Sequence, residues 1–394
     1  MRKVYIDHLR PGLILGKTIY NDRGDILLTR GVALTSRYID ALRAQGLYAA
    51  YVLDGFADDV EPPDLLSDRV RTATYKHVRD LFDVAYLAAP RSLQGFALEG
   101  VSDFVSAMRP RLAQLYSDVE RIVDEVSSIA TISGVATLKS HDTYTFEHSI
   151  EVTVVGVMLG DRLFMPPDDL RQLALGCLCH DIGKLVVPPE ILLKPSRLTP
   201  EEMQVVEQHP QAGFEAVQQI TSGTDIIARQ VVWQHHERQD GSGYPRHLHG
   251  ENRYAARKQV GRPKGLMLPA AEIAAVADVY SALASDRPYR AALDPPSILT
   301  TLHQMSGTHL NREIVSRFLS ILPAYPVGTE VVVISNKLRG YRGIVSELNP
   351  KDIHRPRVRI LFDRGGRAIA PDEVNTSEDR DIELAMPSYA DLIS

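Results

Sequence analysis

Cysteine is nearly missing from this chain of 394 residues, which holds two, together with a lone tryptophan. The pair, Cys177 and Cys179, has one residue between its members and lies in an apolar run with Leu173, Leu175 and Leu178. That spacing is too short for an ordinary disulfide, so no stapled secreted scaffold is expected. Both cysteines read as small core residues in a reducing compartment, not as metal ligands. No apolar run approaches the ~18 residues that a membrane-spanning helix needs. The start, Met1-Arg2-Lys3-Val4-Tyr5, has no signal-peptide core. A cytoplasmic protein without membrane insertion is the expectation. Positive charge is also in short supply: 44 Lys and Arg against 50 Asp and Glu leave a formal charge of −6. A nucleic-acid polymer calls for a basic surface, so that partner is disfavoured. A small anionic ligand on a local basic patch stays open. There is no internal repeat or low-complexity tract.

What is present is a globular composition, 44% hydrophobic and 24% charged, in a chain long enough for two or three units. Residues 1–64 read as a small β-rich regulatory unit and linker. Leu13-Ile14-Leu15 and Asp25-Ile26-Leu27-Leu28 are strand-like, divided by the turn Asn21-Asp22-Arg23-Gly24. Ser36 is expected to cap an amphipathic helix running through Leu42. Strand character returns at Ala49, Tyr51 and Val52, and residues 54–64, acidic and holding Pro62-Pro63, read as the linker. Residues 65–139 form a helical connector, with Val70, Tyr75, Val78 and Leu81 near one face and Leu112, Leu115, Val119, Ile122 and Val126 near another. Pro110 is expected to interrupt the second stretch and start a fresh helix. These helices carry no chemical cluster, and packing or a homodimer contact suits them. Residues 140–323 are nearly all helical. Thr199-Pro200-Glu201-Glu202 has the cap, the early proline and the glutamate three residues after the cap that mark a helix start. In 324–394, Glu330-Val331-Val332-Val333-Ile334, Gly343-Ile344-Val345 and Val358-Arg359-Ile360-Leu361-Phe362 imply a small β unit. The fold class is therefore mainly α, a helical bundle flanked by a small N-terminal α/β unit and a small C-terminal β unit.

The chemistry concentrates in 140–323. His235-His236-Glu237-Arg238-Gln239-Asp240-Gly241-Ser242-Gly243-Tyr244-Pro245 follows His180-Asp181 by 55 residues. Adjacent histidines before a glycine-rich turn suit a packed core poorly. They make sense where several imidazoles and a carboxylate converge on metal ions beside an open loop. His148 opens an amphipathic helix, His209 precedes Pro210, and Asp278 lies deep in the apolar run Ile273-Ala274-Ala275-Val276-Ala277-Asp278-Val279-Tyr280. A carboxylate there is costly unless it is paired or metal-bound. Any one of these residues alone reads more plainly as a satisfied core or surface group; the set in order points to a metallohydrolase. Imidazoles with a shared carboxylate suit iron, manganese, zinc or nickel. His77, His247 and His354 receive no role.

At these residues the sequence resembles the HD-GYP family of cyclic di-GMP phosphodiesterases, a branch of the HD metal-dependent phosphohydrolases. His180-Asp181-Ile182-Gly183-Lys184 matches the HD signature and His235 to Pro245 the extended GYP signature. Ala277-Asp278-Val279-Tyr280 and Arg287-Pro288-Tyr289-Arg290 match further segments. The resemblance implies an HD-type helical bundle over residues 140–323. It also implies that His148, His180, Asp181 and Asp278 hold one metal, with Asp181 bridging to a second held by His209, His235 and His236. The implied ions are two divalent metals, iron or manganese. Lys184 would lie near the scissile phosphate, Arg287 and Arg290 would hold phosphate or guanine, and Gly243, Tyr244 and Pro245 would shape the adjoining loop. Glu237 is expected to orient a ligand histidine rather than bind metal. The implied activity is hydrolysis of the 3′–5′ phosphodiester of cyclic di-GMP by a metal-bridged hydroxide, giving pGpG and further cleavage to GMP where the second step runs. Catalysis would fall to Asp181 and Lys184.

Three departures qualify the resemblance. Tyr144 stands where some relatives carry a glutamate for a third metal, so two metals are expected. Ser281 stands where an aspartate is usual; one turn after Asp278 it shares that residue's face, so a contact to substrate or one behind a ligand is altered, and it is counted among the substrate contacts. About a dozen extra residues, with Arg253, Arg257, Lys258, Arg262 and Lys264, suit either a lid over an anionic ligand or a plain solvated loop. Two alternative functions remain: a non-catalytic cyclic di-GMP sensor or adaptor that signals to protein partners through its flanking units, and an HD phosphohydrolase of another cyclic dinucleotide.

Overall fold

The computed structural model describes residues 1–20, 25–45, 47, 49–88, 101–127, 129, 131–132, 144–194, 196–255, 263–285 and 292–387. The chain opens with β1 (Arg2–Tyr5), β2 (Ile14–Leu15), β3 (Ile19–Tyr20), β4 (Ile26–Leu28), α1 (Ser36–Ala44) and β5 (Ala49–Leu53). Strand β5 pairs antiparallel with both β1 and β2, and β3 pairs with β4. Leu15, Leu34, Ile39, Leu42 and Val52 make a small core of their own. Helix α1 is capped one residue earlier than expected. The Thr35 hydroxyl, on extended backbone, accepts from the Tyr38 N–H, and Ser36 is already helical. The expected turn at 21–24 lies outside the described residues.

Residues 54–64 are packed rather than loose. Ala57 and Val60 are buried against Ile344 and Leu361 of the C-terminal sheet. Arg359 clasps Asp59 through both terminal guanidinium nitrogens, at 2.6 and 2.9 Å. An acidic, proline-bearing run looks solvated until a basic strand from the far end of the chain is laid against it.

Helices α2 (Asp68–Ala88) and α3 (Val101–Val126) pack on one another and on the helices that follow. The two expected apolar faces are their buried faces, with Val78, Leu81, Leu115, Ile122 and Val126 fully enclosed. Pro110 does not start a new helix; it lies inside α3. A proline removes one N–H and pushes neighbouring carbonyls outward, and the Arg111 guanidinium donates to the Ala107 carbonyl at 2.8 Å. Burial of the α3 face outweighs the missing bond.

The next elements are α4 (Tyr144–Arg162), α5 (Pro167–Cys179), the tight 3-10 turn Ile182–Val186, α6 (Pro189–Leu192), α7 (Pro200–Val206), α8 (His209–Ile220), α9 (Ile226–Gln234), α10 (Pro269–Leu283), α11 (Pro295–Met305) and α12 (Arg312–Leu319). Thr199 and Glu202 form the expected reciprocal cap of α7. Helix α4 packs on α5 and α10, and α5 and α8 pack on α9. A single hydrophobic core runs from Leu65 to Leu322 through α2, α3 and this bundle. Both cysteines are free and buried in it. The chain closes with β6 (Glu330–Val333), β7 (Arg342–Glu347), β8 (Arg357–Phe362), β9 (Ala368–Asn375) and β10 (Leu384–Ala385), an antiparallel sheet of order β10-β6-β7-β8-β9. The architecture is mainly helical with small sheets at each end, as expected. Among the described residues no helix is long and apolar enough to cross a membrane.

One close approach positions the bundle's chemistry. The 3-10 turn after α5 lies flat against the start of α8, and a Cβ on Gly183 would fall 1.9 Å from the His209 carbonyl oxygen and 2.5 Å from the Gly213 nitrogen. Gly183→Ala must therefore push α8 away. The expected result in denaturant unfolding is a loss beyond the ~1–3 kcal/mol of an ordinary overpacked core site. An unchanged midpoint would show that this contact does not constrain the bundle.

Candidate metal centre

Helix ends deliver most of the candidate residues. His180 and His235 are the C-terminal caps of α5 and α9, His209 follows closely on α7, and His236 is the next residue after His235. Carbonyls in a last helical turn lack their intrahelical partners. Here imidazoles fill that need: Nδ1 of His180, His209 and His235 donates to the carbonyls of Cys177, Val206 and Val232, each three residues earlier, at 2.8, 2.7 and 2.9 Å. A neutral imidazole has one proton. With it committed to a carbonyl, Nε2 keeps its lone pair and points inward. The last turn of each helix thus sets the tautomer a metal requires.

Those lone pairs crowd together. Nε2 of His209 and Nε2 of His235 are 3.2 Å apart, with no proton left between them. Among the described residues, His180 Nε2 and Asp181 Oδ1 are buried without a hydrogen-bond partner. Asp181 Oδ2 lies 3.3 Å from His180 Nε2, and its Oδ1 lies 3.5 Å from His209 Nε2. From the middle of α10, Asp278 sets Oδ1 3.0 Å from His148 Nε2 and Oδ2 3.9 Å from His236 Nδ1. Three overlapping triads, His209/His235/His236, His148/His180/Asp278 and His180/Asp181/His235, each keep their donor atoms within 4.8 Å. All seven residues expected as metal ligands are thereby drawn into one cluster.

The protonation states suit a cation. Burial, then the neighbouring His236, hold His209 and His235 well below the ordinary histidine range. Burial also depresses His148, and brings His236 to about 4. His180 differs: burial pushes it down, but adjoining Asp181 pulls harder, so it ends raised. Burial pushes Asp181 and Asp278 up, yet the histidines, with Lys184 beside Asp181, hold both well below the usual carboxylate range. Two ionised, dehydrated carboxylates among imidazoles that are mostly neutral make a donor set to which a cation would add compensating charge. Mixed nitrogen and oxygen donors of this kind fit a borderline divalent metal. Lys184 is part of the same surface, with Nζ 2.7 Å from Asp181 Oδ2 and its side chain 28% exposed.

The loop after α9 is a second construction. A Cβ on Gly243 would lie 2.4 Å from the Arg238 nitrogen and 2.5 Å from the His236 oxygen, so only glycine lets the loop fold back on the histidine pair. The Tyr244 N–H donates to that His236 oxygen at 3.2 Å, and its ring rests 4.8 Å from the His236 ring. Pro245 follows through a cis peptide. Glu237 does not orient a histidine. Its buried carboxylate accepts from the N–H groups of Arg246 and Leu248, at 2.7 and 2.8 Å, and so shapes the loop itself. Gln239, missed in the sequence, does similar work. Its amide donates to Glu272 of α10 at 2.8 Å and accepts from the Asn252 N–H at 3.0 Å. A glutamine in a polar loop carries no sequence signal for such a role.

Of the two contacts open to Ser281, the structure has the one behind a ligand. Ser281 is fully buried, its hydroxyl engaged with His148 and Glu151, and it does not present itself as a substrate contact. Arg287 and Arg290 lie outside the described residues, as do Arg257, Lys258 and Arg262 of the basic insertion; Arg253 and Lys264 flank that stretch. Among the described residues, His77, His247 and His354 join none of the triads.

Comparison with known proteins agrees with this geometry. Residues 135–253 match the family model described as HD domain, a span that holds six of the seven clustered residues and stops before Asp278. A cyclic di-GMP phosphodiesterase of Pseudomonas aeruginosa is 31% identical over 258 residues, covering 64% of this chain and 58% of that protein. The cyclic di-GMP phosphodiesterase response regulator RpfG of Xanthomonas campestris is 30% identical over 223 residues, 56% of this chain and 54% of the relative. The 3′3′-cGAMP-specific phosphodiesterase 1 of Vibrio cholerae is 33% identical over 194 residues, covering 49% and 41%. The chain spans about half the length of these curated relatives.

Removing the loop's anchor gives a direct test of the construction. In Glu237→Ala the buried Leu248 N–H and the partly buried Arg246 N–H lose their acceptor, at about 1–3 kcal/mol for the buried group. Hydrogen exchange at Arg246 and Leu248 should accelerate while the amides of α9 stay protected. Unchanged exchange at both positions would rule out the anchor.

Proposed function

We propose that the chain is a metal-dependent phosphodiesterase that opens cyclic di-GMP at a 3′–5′ phosphodiester to give pGpG, with a second cut to GMP as its further product. One observation carries the reading: buried imidazole and carboxylate lone pairs, led by the His209–His235 contact at 3.2 Å, face each other with no proton to share. Relatives named as cyclic di-GMP phosphodiesterases support the substrate class.

His148, His180, Asp181 and Asp278 would hold one divalent cation, and His209, His235 and His236, with Asp181 shared, the other. What supports the sharing is that Asp181 turns one oxygen toward His180 and the other toward His209. Iron or manganese fits the mixed donor set. Such cations, when bound, supply Lewis-acid polarisation of a phosphoryl oxygen and make water acidic near neutral pH. The chain's own groups do the rest. Lys184 sets a positive charge at the edge of the cluster, where it favours the negative charge that grows on a phosphoryl oxygen. Tyr244, its ring tilted against that of His236, forms a wall beside the cluster, and the Glu237 and Gln239 networks hold that wall rigid. A second reading, cleavage of 3′3′-cGAMP, is favoured by the relatives named for that substrate.

Purified protein supplied with Mn(II) should convert cyclic di-GMP to pGpG, followed by chromatography. Asp181→Ala should lower turnover more than ~100-fold, the scale of losing a central electrostatic stabiliser, and should also lower bound metal. Chelation should abolish turnover, and Mn(II) or Fe(II) should restore it. Turnover of Asp181→Ala at the parent rate would eliminate the shared-carboxylate reading. Faster turnover of 3′3′-cGAMP in parallel assays would favour the second substrate. Cyclic di-GMP binding without turnover of either nucleotide would favour a sensor or adaptor.

A further inference from the structure

We propose that Glu151 is a positioning residue for the candidate metal centre, acting on His148 through the hydroxyl of Ser281. The proposal rests on the cation-dependent reading above and goes beyond it by naming a group that no ligand set includes. His148 cannot settle its tautomer as the other histidines do. It lies in the opening turns of α4, where the carbonyls of preceding residues are taken up by the helix's own N–H groups. Its second ring nitrogen must find a partner on another element. That partner is Ser281 of α10, whose Oγ lies 2.9 Å from His148 Nδ1.

A hydroxyl has one proton to give. Ser281 gives it to Glu151 Oε2, at 2.8 Å, so toward His148 it can only accept. The ring proton is thereby drawn to Nδ1, and Nε2 turns its lone pair toward Asp278 Oδ1, 3.0 Å away. Each member of the chain is enclosed: His148 is 2% exposed, Glu151 5% and Ser281 0%. In a low-dielectric setting the carboxylate polarises the hydroxyl, and the hydroxyl makes the far ring nitrogen a better donor to a cation. Glu151 is three residues after His148 on α4, and Ser281 three after Asp278 on α10, so the relay spans the same two helices as the His148–Asp278 pair. The relay thus brings a carboxylate from α4 to the hydroxyl on α10.

The test uses the full chain stripped of metal and titrated with Mn(II), and separately with Co(II) to read its visible absorption. The parent protein should take up two ions. Glu151→Gln, which keeps shape and burial, and Ser281→Ala should each weaken one of them by about 10- to 100-fold, the usual scale for a partner behind a ligand histidine. The other ion should stay within about twofold. Nitrogen NMR of the metal-free protein should show His148 losing its Nδ1-protonated preference in Ser281→Ala. Ser281→Asp alone should also weaken the ion, because it crowds two carboxylates. Adding Glu151→Gln to it should restore much of the affinity, an outcome that a packing role cannot produce. Both ions bound at parent affinity by Glu151→Gln and Ser281→Ala would overturn the relay and leave the function standing. Equal weakening of both ions with a lowered melting temperature of the metal-free variants would likewise overturn it. Failure of the parent protein to bind any divalent ion would bring down both.

Discussion

Lone pairs pressed together out of reach of water are the constraint on which the rest of this structure turns. Nε2 of His209 and of His235 sit 3.2 Å apart, each ring having already spent its proton on a carbonyl at a helix end. Asp181 Oδ1, beside them, is buried and, among the described residues, without a hydrogen bond. A proton added at one Nε2 could be shared across that gap between the rings, but burial holds both rings well below the ordinary histidine range, so at neutral pH the lone pairs face each other unprotonated. A positive ion satisfies them together. The convergence of the ends of α5, α7 and α9 on one point then has a physical purpose, and so does the close contact at Gly183 that pins α8 against the turn carrying Asp181.

Most of that cluster was legible in the chain because its signals are local. A His-Asp pair ending an apolar helix, adjacent histidines ending another and an aspartate inside a third are anomalies in a hydrophobic pattern, and anomalies of that kind need no knowledge of the fold to be noticed. The helical bundle and the closing β unit followed from periodicity for the same reason. Pro110 shows the opposite case: the proline signal is local, but burial of Leu112, Leu115 and Val119 on one continuous face outweighs it. Residues 54–64 show it again, since nothing in their composition announces that Arg359, three hundred residues on, will grip Asp59.

Glu237 and Ser281 mark where sequence reasoning reaches its end. Both neighbour ligand residues in sequence or on a helix face, and adjacency suggested contact with a histidine for the first and with substrate for the second. The fold turns the two side chains in opposite directions. Glu237 turns away to hold the backbone of the loop, while Ser281 turns inward to His148. Side-chain direction was the missing quantity. It depends on where a helix ends and how the following backbone bends, and no periodicity encodes it.

The two supporting networks differ in kind, and the difference bears on how such a centre tolerates change. The loop beside His236 is held mainly by backbone N–H groups bonded to Glu237 and Gln239, so many sequences could satisfy it provided those two acceptors remain. The support behind His148 passes only through side chains on two helices, and each link depends on the chemistry of the next. A carboxylate can sit on either helix, but a second one beside it would be repelled. Position 281 therefore cannot be judged apart from position 151. The serine at 281 is, in the folded chain, the link that brings another helix's charge to bear on the same histidine.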